Sequence, residues 1–288
     1  MLLINLIFIL SLQFYCTLSP ALTSSFSDIL KLRKNTFLLL TNLGEVRKKL
    51  PQNTLVKSTQ SQQLLSLNMR NVSQLFPGFA IGDFAVIYGS TSVLSLTSLL
   101  CVRAQLPAQL GGLGSNVVFV DGGNTFRLYQ VARIARLHQL NPKQTLERIY
   151  ISRAFTAYQM TVLILEKLNK SVKQFDAKLT VISDIAGFFL DKDVSENETR
   201  RVYSQVTAYL SKFAKENQII LIATYPPHQE TKRNIFLQAL TCGRANTVIS
   251  LRQTRYKRKI VLEKHPRYMP GIAEFPSENL TLTDFIEV

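Results

Sequence analysis

The amino-acid sequence predicts an α/β protein with a mostly parallel central sheet, helices on its faces and an antiparallel hairpin closing it. Three observations lead there. Short segments rich in Val and Ile recur from residue 84 onward, nearly continuous in apolar character, as strands buried on both faces must be. Segments with helical apolar spacing separate them. The last two apolar segments follow one another with no helix between them.

Taken in order, residues 1–25 form an apolar N-terminal segment, MLLINLIFILSLQFYCTLSPA and its continuation. It has the length of a signal peptide but lacks a positive start, and no charge precedes Asp28. Polar residues interrupt it, and no basic flank adjoins its start, so it is a marginal membrane span. Three readings stay open: an anchor or signal, a helix packed on the core, or a start codon assigned too far upstream. Residues 26–68 form a small basic helical and linker segment. ILKLRKNTFLLLTNLGEVRKKL has helical spacing, Pro51 stops it, and KSTQSQQ follows as a polar linker. Residues 69–288 form the main domain.

Within that domain the expected strands are 84–88, 116–121, 148–152, 178–184, 218–224, 246–251 and 259–263. Helices are expected near 92–105, 126–139, 156–169 and 197–216. The last opens with Ser195 and Glu198 in a capping box and places Val202, Val206, Leu210 and Phe213 on one stripe. The final two strands are expected to form a hairpin at one edge of the sheet.

Composition narrows the function classes. With 46% hydrophobic residues and no low-complexity tract, the chain is not a disordered one. Thirty-four Lys and Arg against nineteen Asp and Glu leave a net charge of +15. Such an excess favours a polyanionic partner, nucleic acid before an anionic membrane, against the plainer alternative of a basic, solvated surface. Cys16, Cys101 and Cys242 have no metal-ligand spacing, and His138, His228 and His265 are far apart, so no metal site and no disulfide framework is expected. A reducing, cytoplasmic location is expected. Asn71, Asn169, Asn197 and Asn279 stand in N-x-S/T triplets, which matter only for an exported chain.

Specific strings then carry a resemblance. GDFAVIYG lies where a RecA-type domain has its first strand and the opening Gly of its phosphate loop. The following helix ends in Gln105-Leu106-Pro107, with Gly111-Gly112 beyond. VVFVDGGNTFR resembles the segment I-D-T-E-N-T-F-R of the RadA recombinases, RIYISRAF resembles their A-R-A-F strand with Gln159 following, and KRKIVLEKHPRYMPGIAEF resembles their closing segment. The strings are collinear, which no single motif would make persuasive. The resemblance implies a RecA-like core of the RadA kind.

Departures from that family are equally specific. A phosphate loop of the form G-x-x-x-x-G-K-[ST] cradles phosphates with backbone N–H groups, neutralises them with its Lys and ligates magnesium with its hydroxyl. Here Gly89-Ser90-Thr91-Ser92-Val93-Leu94-Ser95-Leu96-Thr97 lacks the second Gly, and no Lys occurs between Lys57 and Lys143. The carboxylate expected to polarise water falls at Gly123, the Arg over the base falls at Gln130 although Arg127 matches, and Thr224-Tyr225-Pro226-Pro227 replaces the polar sensor. Gly89, Ser90, Thr91, Ser92, Asp121, Arg127 and Asp184 are therefore read as a vestigial nucleotide site with no catalytic residue. Asp184 could still hold magnesium or could simply cap the next turn, and the latter is preferred. No cofactor is expected, ATP with magnesium being at most weakly held.

The resemblance places two loops, about 187–197 and 225–243, towards DNA. The first is more acidic than basic, though Arg200 and Arg201 follow it; the second carries Lys232 and Arg233 beside Phe236. Phe236 and Ala239 have the F-x-x-A spacing of a polymerisation motif but fall in this expected loop. The densest cluster is Arg252, Arg255, Lys257, Arg258, Lys259, Lys264 and Arg267 on the closing hairpin, with Tyr256 among them and only Glu263 opposing. Phosphate contact is one reading; cations blocking aggregation at an edge is the other. The expected function is that of a RadA-like paralog, a non-hydrolysing DNA- or recombinase-binding accessory factor in homologous recombination and repair. The expected partners are DNA, single-stranded DNA first, and a RadA-type recombinase or a second copy; a membrane is not expected. An active ATP-dependent strand-exchange recombinase and a membrane-associated RecA-fold regulator are the alternatives.

Overall fold

The computed structural model describes residues 63–253 and 257–276. The chain divides into two units, Met1–Thr59 and Gln60–Val288, and every described residue belongs to the second. The apolar segment 1–25 and most of segment 26–68 lie outside the described residues.

A two-stranded ladder of β1 (Leu64–Leu65) and β2 (Phe79–Ala80), with the short helix α1 (Arg70–Ser73) between them, precedes the main sheet. Leu65, Leu67 and Phe79 of this region are buried, so the packed core begins ahead of Met69. The main sheet has eight strands: β3 (Phe84–Gly89), β4 (Asn116–Asp121), β5 (Ile149–Arg153), β6 (Ala177–Ser183), β7 (Ile220–Tyr225), β8 (Thr247–Gln253), β9 (Lys257–Lys264) and β10 (Gly271–Pro276). They lie in the order β10-β9-β8-β3-β7-β6-β4-β5. From β8 to β5 every neighbour is parallel, while β9 and β10 are antiparallel.

Strand alternation sorts the side chains into two layers. Ala85, Ile87, Val117, Phe119, Leu179 and Val181 pack into the layer that holds α2 (Ser92–Arg103) and α3 (Leu128–Leu137). Phe84, Val86, Val118, Val120 and Ile182 face the other layer. There lie α5 (Ala157–Val162) and α6 (Leu168–Gln174), joined through a π-helical turn at Leu163–Lys167, together with α7 (Glu196–Glu216) and α8 (Lys232–Arg244). The Ser195 hydroxyl accepts the Glu198 amide and starts α7, as the capping pattern predicts. Val206, Leu210 and Phe213 of its stripe are buried, and Val202 is partly so.

The structure departs from expectation in three respects. Helix α4 (Pro142–Glu147) adds to the expected set; Asn141 caps it and Pro142 opens it, a pairing that favours a helix start. Residues 232–244 form α8 rather than a loop: the Thr231 hydroxyl accepts the Asn234 amide, and Asn234, Leu237 and Thr241 bury one stripe. Lys232 and Arg233 thus sit on the first turn of a helix, and Phe236 and Ala239 lie within it. Finally, the β8–β9 hairpin is not the edge of the sheet. β10 pairs along β9 from Gly271 to Pro276 and covers it.

Arg103 is a buried cation with no ion-pair partner among the described residues. Its Nε donates to the Ser66 carbonyl at 2.6 Å and its Nη2 to the Leu110 carbonyl at 2.8 Å, and burial pushes its pKa down to about 10. Burial, then the Arg103 charge, push His138 down to about 4, and His138 Nε2 has no hydrogen-bond partner among the described residues. A histidine kept neutral in the fold but titrating near 6.5 when unfolded favours the unfolded chain as pH falls through that interval. Stability should therefore be flat in this respect above the unfolded value and decline from about pH 6.5 towards about 4. Melting His138→Gln beside the parent at about pH 7.5 and about pH 5 checks this. The variant should lose less on acidification, and equal losses would rule His138 out.

No helix among the described residues is long and apolar enough to cross a membrane.

Candidate functional site

In an open parallel sheet, ligand sites form at the carboxyl ends of the strands. Here that end carries Gly89 as the last residue of β3, Asp121 as the last of β4, Asp184 just after β6 and the residues that follow Tyr225 of β7.

The turn after β3 is short and closed on itself. Gly89 has φ +107°, and a Cβ there would collide with the Leu251 carbonyl oxygen. The next amide, Ser90, donates to that same oxygen at 2.8 Å. Thr91 is already right-handed helical, with φ −58° and ψ −13°, and α2 begins at Ser92. The Val93 and Leu94 amides are taken up by the Ser90 and Thr91 carbonyls at 3.1 and 3.2 Å. The Thr97 hydroxyl donates to the Val93 carbonyl at 2.7 Å and is buried in its own helix. The Val93 and Leu94 amides are thus committed inside the turn, and that of Ser90 to β8.

Asp121 is fully buried and satisfied. It accepts from the Thr125 amide at 2.8 Å, from the Thr125 hydroxyl at 3.1 Å, and from Arg153 Nη2 at 3.1 Å. These bonds shape the Gly122-Gly123-Asn124 turn, and the Thr125 hydroxyl is also bonded to that of Ser183.

Asp184 is held as firmly, in a left-handed backbone at φ +49°. Its Oδ1 accepts the Gly187 amide at 3.1 Å and lies 2.7 Å from His228 Nε2, while its own amide donates to the Thr224 hydroxyl at 3.0 Å. A Cβ at Gly123 would come within 2.8 Å of Asp184 Oδ2, and one at Gly187 within 2.6 Å. A carboxylate side chain at position 123 and Asp184 in this place therefore exclude one another. His228 does not stand out in the sequence, since it lies far along the chain from Asp184 and no spacing rule joins them. Among the described residues no group of His, Cys, Asp and Glu is arranged to hold a metal ion.

Beside the turn lies a cavity of about 470 Å³. Ser90, Thr91, Ser92 and Ser95 form one wall, Arg127 and Gln130 another, and Gln253, Arg258 and Ile260 a third. Of the vestigial nucleotide residues, the structure brings Ser90, Thr91, Ser92 and Arg127 together here. Asp121 and Asp184 do not line it.

The cationic residues expected to face DNA fall into two groups. At the start of α7 and α8, the Arg200 guanidinium sits 4.2 Å above the Phe236 ring and pairs with Glu196 at 2.7 Å. The Arg200 hydrogen bond chiefly lowers the Glu196 carboxyl, with Arg233 and Lys232 adding to it, so these cations gather around Glu196. Arg233 Nη1 also donates to the Asp191 carbonyl at 2.6 Å, and Arg201 is exposed on the next position of α7.

The hairpin group is not a single row. Arg252 faces Lys259 across the β8–β9 ladder, and Lys259 faces Glu274 across β9–β10. Arg252, Lys257 and Lys259 therefore share one sheet face, whereas Arg258 belongs with Ile260 and Leu262 on the opposite face. The cations of the first face are opposed by two carboxylates rather than one. Lys257 and Lys259 pair with Glu274 at 2.7 and 2.6 Å and pull its pKa down to about 2, and Arg252 pairs with Glu263 at 3.2 Å. Glu263 also accepts from the Tyr88 hydroxyl at 2.8 Å and the Ser250 hydroxyl at 2.7 Å; burial, then Glu263, raise Tyr88 to about 12. Lys264 is spent on the Gly243 and Ala245 carbonyls, at 3.1 and 2.6 Å. Arg255 and Tyr256 lie outside the described residues.

Comparison with known proteins agrees with this architecture. The chain is similar, at 34% identity over 90 residues, to the DNA repair and recombination protein RadA of Cenarchaeum symbiosum (strain A), an alignment covering 31% of this chain and 22% of that protein. The family model described as Rad51 matches residues 58–233, more than half of the chain. With its parallel strands in the order β8-β3-β7-β6-β4-β5 and helices on both faces, the chain belongs to the Rad51 family.

Proposed function

We propose that this Rad51-family chain is a RadA-like paralog that does not hydrolyse ATP and serves as a DNA- or recombinase-binding accessory factor in homologous recombination and repair. The similar RadA protein is named for DNA repair and recombination, which supports the process.

One observation carries the loss of hydrolysis: α2 starts at Ser92, directly after Gly89, Ser90 and Thr91. A loop that wraps phosphates needs several residues of free backbone amides and a Lys at the helix start. Neither is present, and of the amides that remain those of Ser90, Val93 and Leu94 are already bonded. Phosphoryl transfer relies on positioned charge, so losing Lys, amides and carboxylate together removes most of what stabilises its transition state. Magnesium-bound ATP does not fit the residues present. Asp121 is occupied by Arg153 and its own turn, Asp184 by Gly187 and His228, and neither reaches the cavity.

The +15 charge supports a nucleic-acid partner. Arg200, Arg201, Lys232 and Arg233 at one place, and Arg252, Lys257 and Lys259 at another, lie at or beyond the carboxyl ends of parallel strands in the chain. The test is capture of the full chain by immobilised single-stranded DNA and, separately, by a RadA-type recombinase. Retention by either is expected; retention by neither would remove the repair assignment and leave the fold.

A further inference from the structure

We infer that His228 is a positioning residue: its contact with Asp184 clamps the connections after β6 and β7 together, so that Arg200, Lys232 and Arg233 are held ready for DNA with no nucleotide bound. This rests on the DNA-binding reading proposed above and adds what sets that surface in place.

In nucleotide-switched proteins, segments beside the phosphate site are ordered by the γ-phosphate and its magnesium and are released when these leave. Ordering such a segment costs conformational entropy for every residue fixed, which some contact must offset. Here contacts within the chain do so, and Asp184 is their shared anchor. Its Oδ1 accepts the Gly187 amide at 3.1 Å, which turns the connection after β6. The same oxygen meets His228 Nε2 at 2.7 Å, which brings in the connection after β7. Both side chains are largely shielded, with 21% of His228 and 11% of Asp184 exposed. A carboxylate facing Nε2 keeps a proton there in either charge state of the ring, so His228 donates a charge-assisted bond.

Pro226 and Pro227 join Tyr225 to His228, and their rings fix φ and leave little freedom to lose. The Tyr225 ring stands edge-on to His228 at 5.8 Å. Beyond His228, Asn234 Nδ2 donates to the Gln229 carbonyl at 2.9 Å and the Tyr225 hydroxyl to the Asn234 carbonyl at 3.1 Å, which closes the connection onto the start of α8. Arg233 Nη1 reaches back to the Asp191 carbonyl at 2.6 Å, so α8 also holds the connection after β6. Phe236, one turn further along, lies under the Arg200 guanidinium at 4.2 Å. The cations therefore stand on a frame anchored by His228 on Asp184. A carboxylate used in this way is not free for magnesium, and the frame needs none. A surface ordered beforehand binds more tightly, because ordering no longer opposes association.

Amide hydrogen exchange of the full chain, with and without ATP and magnesium, follows segments 184–191 and 231–236. Anisotropy of a labelled single-stranded oligonucleotide follows affinity under the same conditions. Slow exchange in both segments and one DNA affinity are expected whether or not ATP is present. His228→Ala should speed exchange in both segments by about tenfold or more, the scale of one charged hydrogen bond. It should weaken DNA binding by about threefold or more, the cost of ordering a long side chain or two on association. His228→Gln, whose amide can reach the same carboxylate, should restore most of both, whereas His228→Leu, which fills the space without a donor, should not. Melting curves establish which variants are folded, and the comparison with and without ATP needs no variant. Exchange that slows, or affinity that rises, only when ATP is added overturns the inference. So do exchange and affinity in folded His228→Ala that match the parent's. Protection lost in His228→Ala with DNA affinity unchanged overturns the inference alone, whereas a parent that binds no DNA overturns the DNA reading with it.

Discussion

Gly89→Ala is expected to unfold the protein at a markedly lower temperature than the parent. The position combines a φ of +107° with a Leu251 carbonyl oxygen standing where the new Cβ must go. Backbone strain of this kind costs about 1–3 kcal/mol by itself. The blocking atom is strand backbone, fixed by the pairing of β3 with β8 at Gly89 and Leu251, and cannot rotate away. A total of about 3–5 kcal/mol would lower Tm by roughly 10 °C or more in a domain of this size. Gly114→Ala provides the contrast: φ is +61° there, but no atom lies within 4 Å of the added Cβ. It should cost only about 1 kcal/mol. If both variants melt alike, the close approach of β3 and β8 at the turn is wrong. The first glycine of the loop would then be free for some other purpose than letting two strands meet.

The second large effect concerns DNA. Replacing Arg252, Lys257 and Lys259 together by Gln should weaken binding to single-stranded DNA of every sequence alike. It should also flatten the dependence of log affinity on log salt by roughly two to three units, at about 0.7–0.9 for each phosphate no longer neutralised. The pairs these residues make are mostly exposed, and such pairs contribute little, so phosphate can replace the carboxylates as partners. Fluorescence anisotropy of a labelled oligonucleotide across a salt series measures both quantities. Unchanged affinity and slope would mean that this face is solvated decoration. The same variants at Arg200, Arg201, Lys232 and Arg233 would then locate the phosphate surface.

Much of the fold is legible in the sequence because buried parallel strands announce themselves. The runs at 84–88, 116–121 and 178–184 need no tertiary information to be read, and Ser195 marks its helix start by local chemistry alone. Helix α8 escapes for a different reason. Thr231 and the apolar spacing of Phe236, Leu237 and Leu240 are visible, but the resemblance to a family with a DNA-facing loop at this point outweighs them. β10, GIAEFP, carries Gly, Glu and Pro among its six residues, so no continuous apolar run marks it without its partner.

For the site, a missing Lys is a fact of sequence. The closure of the turn is not, since it depends on Leu251, which β8 brings from far along the chain. His228 beside Asp184, and Glu274 beside Lys257 and Lys259, are likewise products of sheet order and register. The separation of Arg258 from Lys257 and Lys259 is within reach of sequence alone, because alternate residues of a strand face opposite ways.

Phosphate release from ATP by the purified full chain, with and without single-stranded DNA, tests the loss of hydrolysis most directly. Release indistinguishable from the protein-free background is expected in both conditions, because there is no Lys and no water-polarising carboxylate at Gly123, and the Ser90, Val93 and Leu94 amides beside the start of α2 are already bonded. Release above background that disappears in Asp184→Ala would contradict it, since Asp184 would then have to leave His228 and Gly187 to serve a bound nucleotide.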